Sequence, residues 1–210
     1  MPTAIGRTLA CALLFATLAL VPAAVAQNAE QWNCRGDTED LDGQIKGCTQ
    51  AIQSGKYRGK NLAWAYINRG SVYDYQRDFD RAIADLDVAI RLDPDSVAAY
   101  QNRAASYRNK GQLDRALADL NRAAQLDPQD ARTFLSRGVI YFKLGETKRS
   151  IADYDNSLRL NPNFVASLYG RGVAKLKLGD TDGGNADIRD AKAKQPSVDA
   201  IFVKYFNIAP

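Results

Sequence analysis

The 210-residue chain has no histidine, a single methionine, two tryptophans and three cysteines. Lacking histidine, it has neither the commonest general base near neutral pH nor the usual transition-metal ligand. A phosphate-cradling loop is missing too, since Ser54-Gly55-Lys56 stands without the rest of the Walker spacing. Beyond the N-terminus, no apolar run approaches the roughly 18 residues that a membrane-spanning helix needs. Net charge is +4, with acidic and basic residues interleaved, so no cationic stripe suits a phosphate backbone. These absences argue against an enzyme, a metal or cofactor, a nucleic-acid partner and stable membrane insertion.

The first residues carry a different message. Arg7 is followed by an apolar run from Leu9 to Val21, closed by the small residues Ala24-Val25-Ala26. That order is a secretory signal peptide with cleavage expected after Ala26, leaving a soluble periplasmic or secreted chain from Gln27. Cys11 leaves with the leader. Cys34 and Cys48 remain, in a compartment that permits disulfides. Their spacing matches no zinc site, so a structural disulfide is the better reading than a redox or metal pair. It would close a loop of about 15 residues, worth roughly 3 kcal/mol in the chain-entropy model.

What the rest of the chain has is a period. Pro94, Pro128, Pro162 and Pro196 are spaced by 34 residues each time. Aligned on them, a bulky column reads Tyr66, Tyr100, Phe134, Leu168, and a small one Gly70, Ala104, Gly138, Gly172. Three residues later come Tyr73, Tyr107, Tyr141 and Lys175. Further columns are Ala82, Ala116, Ser150, Gly184; Leu86, Leu120, Tyr154, Ile188; and Ala89, Ala123, Ser157, Ala191. Small residues let two amphipathic helices approach, larger ones fill the gap beside them, and the proline ends the second helix. Gly111, Gly145 and Gly179 fall in the intervening turns, where Arg77-Asp78 departs from the pattern.

These columns resemble the tetratricopeptide repeat (TPR) pattern W-x2-L-G-x2-Y…A-x3-F…P over about residues 63–196. The resemblance implies an all-α fold, a right-handed TPR superhelix of antiparallel helix pairs, with repeats at 63–96, 97–130, 131–164 and 165–196. Arg69, Arg103, Arg137 and Arg171 stand where the pattern has leucine, and the last repeat is degenerate. Residues 27–62 read as a partial N-terminal repeat. Counting 34 back from Ala82 and Leu86 places Cys48 and Ile52 in its packing columns. Residues 197–210 carry Val198, Ile201, Phe202 and Tyr205 at helical spacing, as a capping helix.

The aspartates recur as well: Asp85, Asp119, Asp153 and Asp187, with Asp87 and Asp155 two further on. Residues two apart on a helix diverge, which disfavours a metal pair. A ladder joining them to the Arg69, Arg103, Arg137 and Arg171 column fits better, with Arg81, Arg115 and Arg149 adding weak i,i+4 contacts.

In the TPR family the first helix of each pair lines a concave groove that holds a protein or peptide. Column by column, the resemblance assigns to it Trp64, Ile67, Ser71 and Tyr75; Ala98, Gln101, Ala105 and Asn109; Arg132, Leu135, Val139 and Lys143; and Ala166, Tyr169, Val173 and Lys177. Asn68 and Asn102 would reach an extended backbone, as in TPR carboxylate clamps, although Ile67 and Ser71 stand where that clamp needs further partners. Trp64 and Tyr75 have two readings: partner anchors, or packing against the N-terminal partial repeat. The expected function is a non-catalytic adaptor in an envelope assembly. The alternative is a self-associating periplasmic scaffold, a homo-oligomer stacked through its degenerate end.

Overall fold

The structure, a computed structural model, describes Cys34 and residues 40–206, with side chains as far as Val203. The leader, its cleavage site and Tyr205 of the expected cap lie outside the described side chains. Every described segment is helix or turn: α1 (Leu41–Gln53), α2 (Ala63–Tyr75), α3 (Phe79–Leu92), α4 (Val97–Asn109), α5 (Leu113–Leu126), α6 (Ala131–Lys143), α7 (Thr147–Leu160), α8 (Val165–Lys177), α9 (Thr181–Lys194) and α10 (Val198–Phe206). The pairs α2–α3, α4–α5, α6–α7 and α8–α9 pack antiparallel, and each second helix also meets the next first helix. None of the described helices is long and apolar enough to cross a membrane.

Side-chain caps start several helices. Asp40, Asp78, Ser96 and Asp180 each accept from the amide three residues on, and Asp130 from that of Arg132. Between paired helices the chain turns through the left-handed region at Arg77, Gly111, Gly145 and Gly179, with φ of 66°, 76°, 80° and 86°. The residue after each turn closes the helix by donating back: Asp78 to Tyr73 O and Gln112 to Tyr107 O, both at 2.8 Å. Arg77 makes that turn with a Cβ, which costs about 1–2 kcal/mol relative to glycine.

The arginine column locks the pairs together. Arg103 donates through Nε and Nη2 to both oxygens of Asp119, at 2.8 and 2.7 Å, and through Nη1 to Asp87 at 2.6 Å. The same fork joins Arg69 to Asp85, Arg137 to Asp153 and Arg171 to Asp187. Its third arm reaches back one repeat, to Asn121 from Arg137 and to Asp155 from Arg171. Hydrogen bonds to Asp119 raise the Arg103 guanidinium, offset by burial and aided by Asp87. So Asp85 and Asp87 turn to different guanidiniums, one within its repeat and one beyond it, as helical divergence requires.

Arg81, Arg115 and Arg149 do not make the expected i,i+4 contacts. Arg81 bridges Asp78 and Arg149 bridges Glu146, one turn earlier. Their guanidiniums lie over the rings of Tyr73, Tyr107 and Tyr141, at 4.5, 4.5 and 5.8 Å from the centroids. In the fourth repeat both partners are lost together, to Lys175 and Gly183, and Lys175 Nζ instead meets Asp187 at 2.9 Å.

The N-terminal register also differs from expectation. Arg69 Nη1 reaches Thr49, twenty residues back, where the later arginines reach sixteen. Gln76 contacts Asp42, and its equivalent Lys110 contacts Asp80. Both contacts place α1 one helical turn out of the 34-residue register. Its buried residues Gln44, Gly47, Cys48 and Ala51 take the places of Ala82, Asp85, Leu86 and Ala89. Cys48 therefore fills a leucine position, not the small column. The slack comes from residues 54–62, a connection longer than 93–96 that includes the 3-10 turn Gly59–Leu62. Cys34 and Cys48 form a disulfide, Cα–Cα 4.7 Å, buried beside Ala51 and Ala65.

At the other end α10 lies mainly against α8, with Val198 and Phe202 both 1% exposed. Where α3, α5 and α7 present Ile83, Leu117 and Ile151 to the next repeat, α9 has Asn185; its outer face also carries Arg189 and Lys192. The outward side of α9 is thus polar, while Leu176, Leu178 and Val203 at the same end of the array are 37%, 48% and 38% exposed.

Arg103→Ala would leave Asp119 buried without its fork, and should lower unfolding stability by roughly 3 kcal/mol in denaturant titration. Arg77→Gly should raise it by about 1 kcal/mol, by relieving the left-handed residue. Although burial opposes it, hydrogen bonds from Arg171 and Lys175 hold the Asp187 carboxyl below its ordinary 3.8. A depressed carboxylate stabilises above its unfolded value and loses that contribution as pH falls through the folded one. The thermal midpoint should thus be level from neutrality to about pH 5 and fall below about pH 4.

Candidate functional site: the first-helix face

Successive first helices touch: α2 meets α4, α4 meets α6, and α6 meets α8. Contacts between successive second helices are marginal at most, so the first helices form the inner wall of the curve. Each one presents two kinds of position to that wall. One is covered by the next first helix; the other stays open.

Ile67, Gln101, Leu135 and Tyr169 occupy the covered position. Ile67 packs beside Ala63, Ala99 and Tyr66. Gln101 Nε2 donates to Asp130 and to Thr133 Oγ1, tying α4 to the start of α6. Leu135 and Tyr169 are 5% and 2% exposed, and Tyr169 packs on Phe202 with centroids 5.2 Å apart. Val139 and Val173 are buried in the same cluster. The expectation that Leu135 and Tyr169 offer groove surface is therefore corrected: convergence of the first helices makes this column an inter-repeat core. Gly170 permits it, since a Cβ there would come within 2.7 Å of Tyr154 and 3.0 Å of Phe202.

Trp64 and Tyr75 part company. Trp64 is half-buried, with Tyr57 edge-on at 5.4 Å, and packs on the disulfide cluster. The longer connection before α2 supplies Tyr57, which is why packing claims this tryptophan. Tyr75 is 67% exposed at the end of α2. Asn68 is half-buried with Nδ2 4.0 Å from Cys34 Sγ, and Asn102 is half-buried on α4. Arg132 is exposed and holds Asp130 at 3.3 Å.

The open positions gather along the C-terminal ends of the first helices. Asn109 Nδ2 spans both oxygens of Asp74, at 3.1 and 3.2 Å, next to Tyr75. Lys177 Nζ lies 4.6 Å over the Phe142 ring. Burial, reinforced by the nearby Arg108 cation, holds the Lys143 amine below its ordinary value. Asp74, Arg108 and Phe142 were not assigned to the groove from sequence. They sit one residue before the assigned Tyr75, Asn109 and Lys143, and the aligned columns alone do not separate neighbours on a helix edge. The edge grades from Asp74 and Tyr75 at the N-terminal end to Arg108, Lys143 and Lys177 at the other. It offers hydrogen-bond donors, aromatic surface and positive charge. Among the described residues no group of three His, Cys, Asp or Glu is placed to hold a metal.

Stacked helix pairs with an open inner edge define an α-solenoid interaction module. Models of the TPR repeat match residues 105–145 and 138–179, and further tetratricopeptide models match 63–96 and 86–118. The chain belongs to the tetratricopeptide repeat family. No curated protein matches it. Among solved structures, MamA from Desulfovibrio magneticus RS-1 (residues 41 to the end) is similar at TM-score 0.68 and 17% identity, covering 83% of this chain and 96% of its own. YrrB, described as a TPR protein with an unusual peptide-binding site, has TM-score 0.60, 17% identity and coverage of 83% and 91%. The first TPR module of Spaghetti (RPAP3), solved bound to the HSP90 peptide SRMEEVD, has TM-score 0.56, 24% identity and coverage of 60% and 99%. At these identities the likeness establishes the fold.

Proposed function

We propose that the chain is a non-catalytic adaptor that holds a protein or peptide segment along the open edge of its first helices, within an envelope assembly. The observation that carries this reading is the exposure of Tyr75, an aromatic that no repeat contact requires, on the same edge as Lys143 and Lys177. Aromatic and cationic side chains on a rigid wall are what peptide recognition favours. Peptide binding by the structurally similar YrrB and RPAP3 modules supports a partner of that kind. The leader-like N-terminus and the buried disulfide support an exported setting. Self-association through the degenerate end is the alternative, carried by Leu176, Leu178 and Val203, which are exposed there; Arg189 on α9 opposes it, while Lys192 is paired with Asp199 of α10 at 2.9 Å.

Affinity capture from an envelope extract, with the protein expressed with its N-terminal segment intact, tests the adaptor reading. A partner retained by the native protein should be lost about tenfold or more with Tyr75→Ala/Lys143→Ala/Lys177→Ala, these being exposed or half-buried residues whose loss leaves helicity unchanged. Equal retention by both would refute the edge assignment. A concentration-dependent increase in mass by light scattering would favour the self-associating scaffold instead.

A further inference from the structure

A cleft of about 470 Å³ opens between the first and second repeats, lined by Asp87, Ile90, Arg91, Arg103, Tyr107, Arg115, Ala118 and Asp119. These residues come from α3, α4 and α5, and none belongs to the first-helix edge. Within the cleft Arg103 is saturated by Asp87 and Asp119. Arg91 and Arg115 are different. Both are exposed, and neither forms an ion pair among the described residues.

The repeat itself shows what is unusual here. Arg81 and Arg149, the equivalents of Arg115, are bound by the acids Asp78 and Glu146 three residues earlier. At that position the second repeat has the neutral Gln112, whose Oε1 accepts from Arg115 Nη1 at 3.1 Å. Arg115 thus has no carboxylate to offset its charge at that position, while Tyr107 holds it in place, 4.5 Å above the ring. Arg91 becomes Gln125 at the next junction, and at the one after that Gly183 replaces the arginine and Lys175 the tyrosine. Among the described residues, this junction alone combines two cations without an acidic partner and an apolar floor of Ile90, Ala118 and Tyr107.

We infer that this cleft docks a carboxylate carried by an acidic segment of a protein partner, at a site that shares no residue with the first-helix edge. Two guanidiniums suit a carboxylate geometrically, each able to donate two parallel hydrogen bonds. A protein segment fits better than a free anion because the cleft is open to solvent. Small ligands are held in sites that enclose most of their surface, whereas a side chain is anchored by the rest of its own chain. The inference stands independently of the adaptor edge.

The test is a ¹⁵N NMR titration of the full chain with an amide-capped octapeptide of alternating glutamate and alanine, read at the Arg Nε–Hε signals. Saturable shifts at Arg91 and Arg115 are expected, with affinity at least tenfold weaker in Arg91→Ala/Arg115→Ala. Gln112→Glu removes no cation but restores the acid of the neighbouring repeats, and should weaken binding severalfold. Glutarate at the same carboxylate concentration should not displace the peptide. Shifts confined to the surroundings of Lys143 and Lys177 would overturn the cleft while leaving the edge intact. Unchanged binding by either variant would also overturn it, and full displacement by glutarate would make it a site for free anions.

Discussion

Each repeat depends on one guanidinium. Its fork closes the helix pair from within, through both oxygens of an aspartate on the second helix, while its remaining Nη1 reaches the preceding second helix. Two packing interfaces are therefore fixed by one planar group whose donor directions are rigid. In a leucine-lined repeat, the same interfaces slide at small cost, because dispersion contacts have no preferred direction. A half-buried charge-assisted fork allows one register. The arrangement also explains why aspartates two apart recur: one serves the arginine of its own repeat and the other that of the next.

Register control matters most where the sequence period fails. The helix α1 is displaced by one turn relative to the repeats that follow, yet Thr49 still meets the third arm of Arg69. A whole-turn slip preserves the face that a helix presents, so the same buried stripe is rebuilt from different residues. The disulfide then holds that stripe, and Trp64 is drawn into it by Tyr57. At the C-terminal end the ladder stops where α9 places Arg189 in the position that earlier repeats give to Asp87, Asn121 and Asp155.

A repeat protein shows function where its columns break. Packing positions are copied from unit to unit because every interface has the same geometry. The column Tyr75, Asn109, Lys143 and Lys177, the neighbouring Arg108 and the Gln112 substitution vary from unit to unit, unlike the packing columns. The inner edge and the cleft between the first two repeats are thus places where, among the described residues, the repeat pattern varies.

The sequence by itself determined the helix pairs, their 34-residue period, the arginine–aspartate partnership and the cysteine pairing. All of these follow from local periodicity, or from groups that a single fixed spacing brings together. The split of the first-helix face was decided in three dimensions. Leu135 and Tyr169 share helical phase with Gln101, and only the convergence of neighbouring first helices shows that this phase is covered. The slip of α1 was likewise invisible, since no proline marks its end and the extra residues of 54–62 have no counterpart in the period. Periodicity fixes which face of a helix is buried. What buries it, and how far along the axis, depends on connections and neighbours that a one-dimensional count does not contain.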